Sequence, residues 1–365
     1  MKITAVNATP TSLIVNPKLA IVSAAGAHPE SHYLTVTVHT DEGLVGYGEA
    51  TVAPGWSGEN QSTSLALIQQ LLAKLLIGAD PLQTNLLIDR MDRMLIGNSF
   101  TKASLEMALL DLKGKILGLP VYVLLGGSRR SSKIPLKFSI GAFSPKDAVR
   151  IAMHAADLGL KAAKVKVGLV VEEDIARVQA IRSEMGDDFR LAVDANSGWT
   201  EADAVRALPA LERLKVNAIE QPLRRGDFRG CYRLRQRTHI PLMLDESVFT
   251  KQDAMEAIRT DACDFISIYP GKNGGIQKSM EIAQMASAAG IECTIGSNLE
   301  MDLGTAAMLH LAVAMPNLAT SVDHDILGPL YYTEHLTQRP IAYEDGCAVL
   351  PDGKGLGLEI LEKRQ

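Results

Sequence analysis

Aromatic residues are scarce in this 365-residue chain, at 5% with 2 Trp. Base-stacking platforms and sugar-stacking clefts need more ring surface than that. Cysteine is scarce too: Cys231, Cys263, Cys293 and Cys347 stand far apart, with no Cys-x-x-Cys pair. This argues against a disulfide framework or a cysteine zinc site and fits a reducing, cytoplasmic setting. Positive charge is not in excess, since 37 Lys plus Arg face 42 Asp plus Glu for a net charge of -5. A mildly acidic chain without a basic stripe is a poor nucleic-acid partner. Long apolar runs are missing: the N-terminus MKITAVNATPTSLIV has no signal-peptide core, and the stretch 65–77 is broken by Gln69, Gln70 and Lys74. No membrane span is expected.

What is present suits a globular protein with a sizeable core, 47% apolar and 22% charged, long enough for one large domain or two moderate ones. Residues 1 to about 50 alternate like strands, with a hairpin turning at 41–43. Helical spacing follows near 60–77, 82–95 and 100–117, and Gly118 and Pro120 end the third helix. Residues 1–130 thus read as an α+β domain. From about 133, short β-branched runs alternate with amphipathic helices: KIPLKFSIG, AAKVKVG, FRLAVDAN, NAIEQP, IPLMLDES, DFISIYPG, IECTIGSN and ATSVDHD. Eight such units predict parallel strands closing into a (β/α)8-type (modified TIM) barrel over 131–328. The tail, 329–365, is expected to return to the first domain.

The polar residues ending these runs recur evenly. Lys166, Asp194, Glu220, Asp245 and Tyr269 are separated by 28, 26, 25 and 24 positions, about one βα unit each. They should therefore lie side by side on the C-terminal rim, where barrel enzymes keep their chemistry. Helix capping explains one strand-end acid easily; three on consecutive strands point to a metal site. Asp194, Glu220 and Asp245 offer three hard oxygen ligands, which suit Mg²⁺. Lys164 and Lys166 share one face of their strand. Two neighbouring ammonium groups repel, so one is expected to lose its proton readily and serve as a general base.

With these residues in view, the chain resembles the enolase superfamily, in its muconate-lactonizing-enzyme subgroup. The stretch DLKGKILGLPVYVLLGG resembles the end of that family's capping domain, and KVKVG its Lys-x-Lys strand. VDAN, EQP and LDES resemble its metal-ligand strands, and GKNGG its turn after the sixth strand. The resemblance implies Mg²⁺ held by Asp194, Glu220 and Asp245, a carboxylate substrate chelated by it, and loss of the α-proton to Lys166, with Lys164 stabilising the enediolate. It also implies an α/β barrel capped by an α+β domain that the N-terminal part and the C-terminal tail build together.

The chain departs from the subgroup at the sixth strand. The second base there is usually a lysine; here the matching position is Tyr269, and Lys272 is expected to point elsewhere. A phenol titrating near ~10 is a poor base. A single-faced base suits syn β-elimination, in which Lys166 takes the α-proton and then protonates a departing β-hydroxyl. The alternative keeps Tyr269 as packing and brings Lys272 in as second base. Asp323 and Asp325 in SVDHDILGPL resemble the Asp-x-Asp of dipeptide epimerases and are expected to pair with a substrate α-ammonium, while His324 between them faces away. Together these features most resemble the cis-3-hydroxy-L-proline dehydratases, which form Δ1-pyrroline-2-carboxylate. An amino-acid or dipeptide epimerase or racemase is the alternative. The expected partner is a small amino-acid substrate, with no membrane and with assembly as a homo-oligomer. The loops at 23–32 and 51–60 are expected to form the lid, with His28 and Trp56 shaping the pocket. Glu300 carries no assigned role.

Overall fold

The computed structural model describes residues 1–361. Its N-terminal part is a three-stranded antiparallel sheet of Ile3–Ile14, Glu30–Thr40 and Val45–Val52, with Glu30–Thr40 in the centre. Three helical stretches pack on it. The first runs Gln61–Leu67, through a π-helical turn at Ile68–Leu72, into Ala73–Leu76; Thr84–Met94 and Ser99–Leu117 follow. Ile68, Leu72, Leu76, Leu87, Met91, Leu105 and Leu109 are buried between helices and sheet, each contributing roughly 1.5–3 kcal/mol. Ser99–Leu117 is buried on almost every side and ends at Gly118 in the left-handed conformation. Strand Val45–Val52 crosses this helix so closely that a Cβ at Gly48 would lie 1.9 Å from the Ser104 carbonyl oxygen. Only glycine permits that approach.

A two-stranded ribbon, Ile21–Ser23 against Gly26–His28, projects from this domain. The Ala142 N–H donates to the Val22 carbonyl at 2.6 Å, and a Cβ at Gly198 would meet that of Ala24 at 2.5 Å. The ribbon therefore rests across the ends of the first and third barrel strands.

The second part is a seven-stranded parallel sheet in sequential order: Phe138–Ile140, Ala162–Lys166, Arg190–Asp194, Val216–Glu220, Leu242–Leu244, Phe265–Ile268 and Glu292–Ile295. Helices cover its outside, several opened by side-chain caps at Ser144, Thr200 and Thr250. The eighth run departs from expectation, for it forms no strand. It closes the barrel through single contacts: Ala319 N–H to the Cys293 carbonyl, Lys137 N–H to the His324 carbonyl and Asp325 N–H to the Ile295 carbonyl. Its backbone alternates between two neighbours, so no ladder develops. Ala192, Ala218 and Met243 stand two positions before Asp194, Glu220 and Asp245, and strand alternation puts them one layer deeper on the inward face. With Phe265, Ala319 and Val322 they fill the barrel beneath the acids, leaving the polar layer reachable only from the mouth.

The tail bridges both parts. Cys347–Val349 pairs with Lys133–Pro135, whereas Leu356 N–H donates to Asp111 of helix Ser99–Leu117 at 2.7 Å. Among the described residues no helix is long and apolar enough to cross a membrane.

Candidate active site

Parallel register places the strand-end residues in one row: Lys166 opposite Asp194, and Asp194 opposite Glu220. All are buried. Lys166 Nζ donates to Asp194 Oδ2 at 2.5 Å. Lys164 Nζ reaches Glu220 Oε2 at 3.1 Å and Asp325 Oδ2 at 2.9 Å, with Asp194 at 3.5 Å. Above this row lies a cavity of about 310 Å³ lined by Lys164, Lys166, Asp194, Asp245, Asp325 and Ser297. The lid residues His28, Glu30, His32 and Trp56, from the two loops marked in the sequence, complete its wall. A larger groove of about 860 Å³ runs along the flank, but its central charges are already paired, since Lys102 and Lys278 both grip Asp92.

Of the two lysines, one of which is expected to lose its proton readily, Lys164 stays charged. Burial pushes its ammonium down, yet Asp325, Glu220 and Asp194 outweigh that and hold it well above the ordinary lysine range. Lys164 has two carboxylates at about 3 Å, so attraction wins there over repulsion from the neighbouring cation. Burial raises the Glu220 carboxyl to about 7 against the pull of Lys164, with Asp194, Asp245 and Asp325 adding to the rise. Burial also acts on Asp325, but Lys137 and Lys164 more than offset it and bring that carboxyl down to about 2.

Asp323 does not join the site. Its carboxylate is clamped by Arg190, Nε at 2.7 Å and Nη2 at 2.9 Å, and Arg190 begins the third strand, at the barrel's far end. Only Asp325 lines the cavity, and two lysines neutralise it: Lys137 at 2.9 Å and Lys164 at 2.9 Å. The expected pairing of both acids with an α-ammonium is thus overturned, because the eighth segment is not a strand and its side chains do not alternate as in one. His324 faces away, its Nδ1 accepting from the Ile295 N–H at 3.2 Å, and burial pushes its imidazole down to about 3.

Lys272 folds back under the rim and is not among the residues lining the cavity. Its ammonium donates to Asp245 Oδ1 at 2.6 Å and to the carbonyls of Asp245 at 2.9 Å and Ser267 at 2.7 Å. It lies 4.7 Å below the Tyr269 ring centroid. Tyr269 is fully buried, stacked on Trp56 at 6.5 Å, and its hydroxyl has no partner among the described residues. Burial, then Asp245, Glu246, Glu300 and Glu220, push the phenol well above its usual range, so it is a hydrogen-bond donor and not a base. Glu300 accepts from Ser297 Oγ at 2.6 Å and from the Asn298 N–H at 3.0 Å, fixing the loop after the seventh strand.

Among the described residues, no three Asp, Glu, His or Cys side chains converge closely enough to enclose an ion as they stand; lysine ammonium groups lie between the acids. The donor set nonetheless fits a hard divalent cation. Glu246 Oε2, Asn196 Oδ1 and Ser197 Oγ are buried without hydrogen-bond partners among the described residues, and Asn196 joins Asp194 at 2.9 Å to Glu246 at 3.0 Å. Unsatisfied buried acceptors beside three carboxylates call for positive charge.

Sequence reasoning missed Lys137 and His32. Lys137 was signalled by a lysine set between apolar residues in the run KIPLKFSIG. His32 had no signal beyond its place in a lid loop.

Residues 8–126 match the mandelate racemase / muconate lactonizing enzyme N-terminal domain, and residues 147–364 match the enolase C-terminal domain-like family. An N-succinyl-L-Arg/Lys racemase of Bacillus cereus is 32% identical over 99% of this chain and 96% of its own. Muconate cycloisomerase 1 of Rhodococcus opacus is 33% identical over 95% of this chain and 92% of its own. A crystal structure of a dipeptide epimerase from Enterococcus faecalis, complexed with Mg and the dipeptide L-Leu-L-Tyr, superposes with a TM-score of 0.92 at 32% identity. It covers 98% of this chain and 99% of that one.

Proposed function

This chain belongs to the mandelate racemase / muconate lactonizing enzyme family with its enolase-like C-terminal domain, and from that premise we propose a magnesium-dependent enzyme that removes the proton α to a carboxylate. The observation that carries the reading is Lys166 Nζ, 2.5 Å from Asp194 on the wall of the capped cavity. Racemisation or epimerisation of an amino-acid derivative is the outcome favoured by the racemase and the dipeptide epimerase among the relatives. Hydroxyproline dehydration, expected from the sequence, has no support in them.

Asp194, Glu220 and Asp245 would hold Mg²⁺, which supplies neutralisation of the substrate carboxylate and of the charge that develops on it. Lys166 takes the α-proton, and the C–H electron pair moves into the carboxylate. For inversion a proton returns to the α-carbon from the opposite face, for which the protonated Tyr269 hydroxyl is the candidate donor, both groups being reset by exchange with solvent. Lys164, held cationic between Glu220 and Asp325, faces that growing charge. The ribbon and the loop bearing Trp56 exclude water.

A second reading, β-elimination of water, is favoured by one observation. The sixth strand ends in Tyr269, and the three protons of Lys272 are already committed, so no lysine is offered from the far side. Lys166 would then return its proton to a departing β-hydroxyl on the same face. Against a hydroxyproline substrate stands the engagement of Asp323 and Asp325.

The test is incubation in D₂O with Mg²⁺ and, separately, N-succinyl-L-arginine, L-Ala-L-Glu and cis-3-hydroxy-L-proline. Deuterium at the α-carbon with a change of optical rotation supports racemisation or epimerisation. Pyrroline formation supports elimination. Neither deuterium incorporation nor pyrroline formation with any of the three removes both readings.

A further inference from the structure

The lid holds an imidazole whose hydrogen bonding is wired from behind. His28 Nε2 lies 2.5 Å from Ser31 Oγ, and Ser31 Oγ lies 2.5 Å from Tyr332 Oη. Tyr332 Oη is 2.7 Å from Tyr33 Oη, which is 2.7 Å from the Leu299 carbonyl oxygen. Ser31, Tyr33 and Tyr332 are buried. Leu299, a non-glycine residue at φ 59, aims that carbonyl at Tyr33.

Proton counting gives the chain a direction. A carbonyl only accepts, so Tyr33 gives its single hydroxyl proton to Leu299. Two oxygens at 2.7 Å with no proton between them would repel, so Tyr332 donates to Tyr33, and Ser31 in turn donates to Tyr332. His28 must then donate from Nε2–H to Ser31. Burial, with smaller effects from its neighbours, keeps both phenols protonated, Tyr332 up at about 12. Burial, then His32 and Lys166, push the His28 imidazole below its usual range. Neutral His28 therefore carries its lone pair on Nδ1, which has no protein partner among the described residues.

We infer that His28 Nδ1 is the acceptor that reads a hydrogen-bond donor on the substrate's α-substituent, and that this donor is the amide N–H of an N-acylated or peptide-linked amino acid. The inference rests on the α-proton reading, which puts the α-carbon at Lys166, beneath the ribbon that ends in His28. A neutral N–H suits the surroundings better than an ammonium. Lys164, Lys166 and His32 share the wall, Asp325 is neutralised by two lysines, Asp194 and Asp245 are each paired with a lysine, and Glu30 is the remaining lid acid, itself exposed. His28 touches the substituent and not the reacting carbon, so it sets specificity.

The test compares N-succinyl-L-arginine with its Nα-methyl analogue, with Mg²⁺ present. The unmodified enzyme should prefer the N–H compound by at least about 100-fold in kcat/KM, because an acceptor left unpaired in the closed cavity penalises the analogue. His28→Phe should raise KM for the N–H compound about 10-fold or more, leave kcat within a few-fold, and erase the preference. His28→Asn, whose Oδ1 replaces Nδ1, should restore part of it. Equal preference in His28→Phe and in the unmodified enzyme overturns the inference, as does better turnover of a hydroxy-acid lacking the N–H. Imidazole ¹⁵N shifts provide a readout independent of activity: the Nε2–H tautomer is expected in the Mg²⁺-loaded enzyme, and a tautomer mixture in Tyr332→Phe. An Nδ1–H tautomer in the unmodified enzyme sinks the assignment. If that tautomer is as expected but no probe exchanges its α-proton, it is the α-proton reading that has failed, and the substrate assignment with it.

Discussion

Lys272 sits fully buried beneath Asp245 with three acceptors for its three protons, the Asp245 carboxylate, the Asp245 carbonyl and the Ser267 carbonyl. An ammonium so engaged fixes a candidate metal ligand and is not poised to move a proton to substrate. Lys272→Met should therefore cost about 3–5 kcal/mol of stability, from the buried carboxylate left unpaired, and weaken Mg²⁺ binding roughly 10–100-fold. Urea unfolding and calorimetric titration measure both. Unchanged stability and Mg²⁺ affinity with lost turnover would instead make Lys272 a proton carrier.

Lys166→Met should suppress exchange of the substrate α-proton by about 10²–10⁴-fold. Proton NMR in D₂O follows it directly. Exchange at the original rate removes Lys166 as the base.

Tyr269→Phe separates proton removal from proton delivery. Its hydroxyl has no partner among the described residues, is buried and is confined to donating. Exchange of the α-proton should stay within about 10-fold, while net product formation falls by about 10²-fold, the low end for a lost general acid. If product formation does not change, Tyr269 only packs between Trp56 and Lys272.

The two acids of the eighth segment should behave differently. Asp323→Asn breaks a pair with the half-exposed Arg190 and should leave KM unchanged, with at most about 1 kcal/mol lost. Asp325→Asn leaves Lys137 and Lys164 without their shared buried partner and should cost several kcal/mol and most of the activity. Parallel KM changes in both variants would revive an Asp-x-Asp subsite.

His310 predicts an acid sensitivity remote from the site. It accepts from the Tyr122 N–H at 3.2 Å and stacks on that ring at 5.9 Å, and burial lowers its imidazole to about 4. A pKa depressed in the folded state gives stability that is present above the unfolded value of about 6.5 and lost as pH falls from there towards 4. At pH 5.5 the loss is on the order of 1 kcal/mol relative to pH 8. The slope of unfolding free energy with pH should flatten over this window in His310→Leu; an unaltered slope contradicts it.

Much of this architecture was legible in the chain because its elements repeat. Acids at Asp194, Glu220 and Asp245 recur at the length of one strand-helix unit, and a closed parallel sheet must bring such positions together. The inward face of Lys164 and Lys166 follows from strand alternation, and the arrest of the long helix from Gly118. Where regular structure stopped, legibility stopped with it. The pairing of Asp323 with Arg190 could not be read, since it depends on an eighth segment that closes the barrel without becoming a strand. The return of Lys272 beneath Asp245 lies in a four-residue helical turn whose direction no periodicity encodes.

The sequence by itself determined the barrel, its cap and the row of acids and lysines at its mouth, because backbone geometry converts spacing into position. Only the tertiary structure decided which charges neutralise one another and which nitrogen of His28 holds the lone pair. Those depend on contacts such as Ser31 with Tyr332, joining segments about 300 residues apart, and hydrogen bonds at that separation are set by how the layers pack, not by any local pattern.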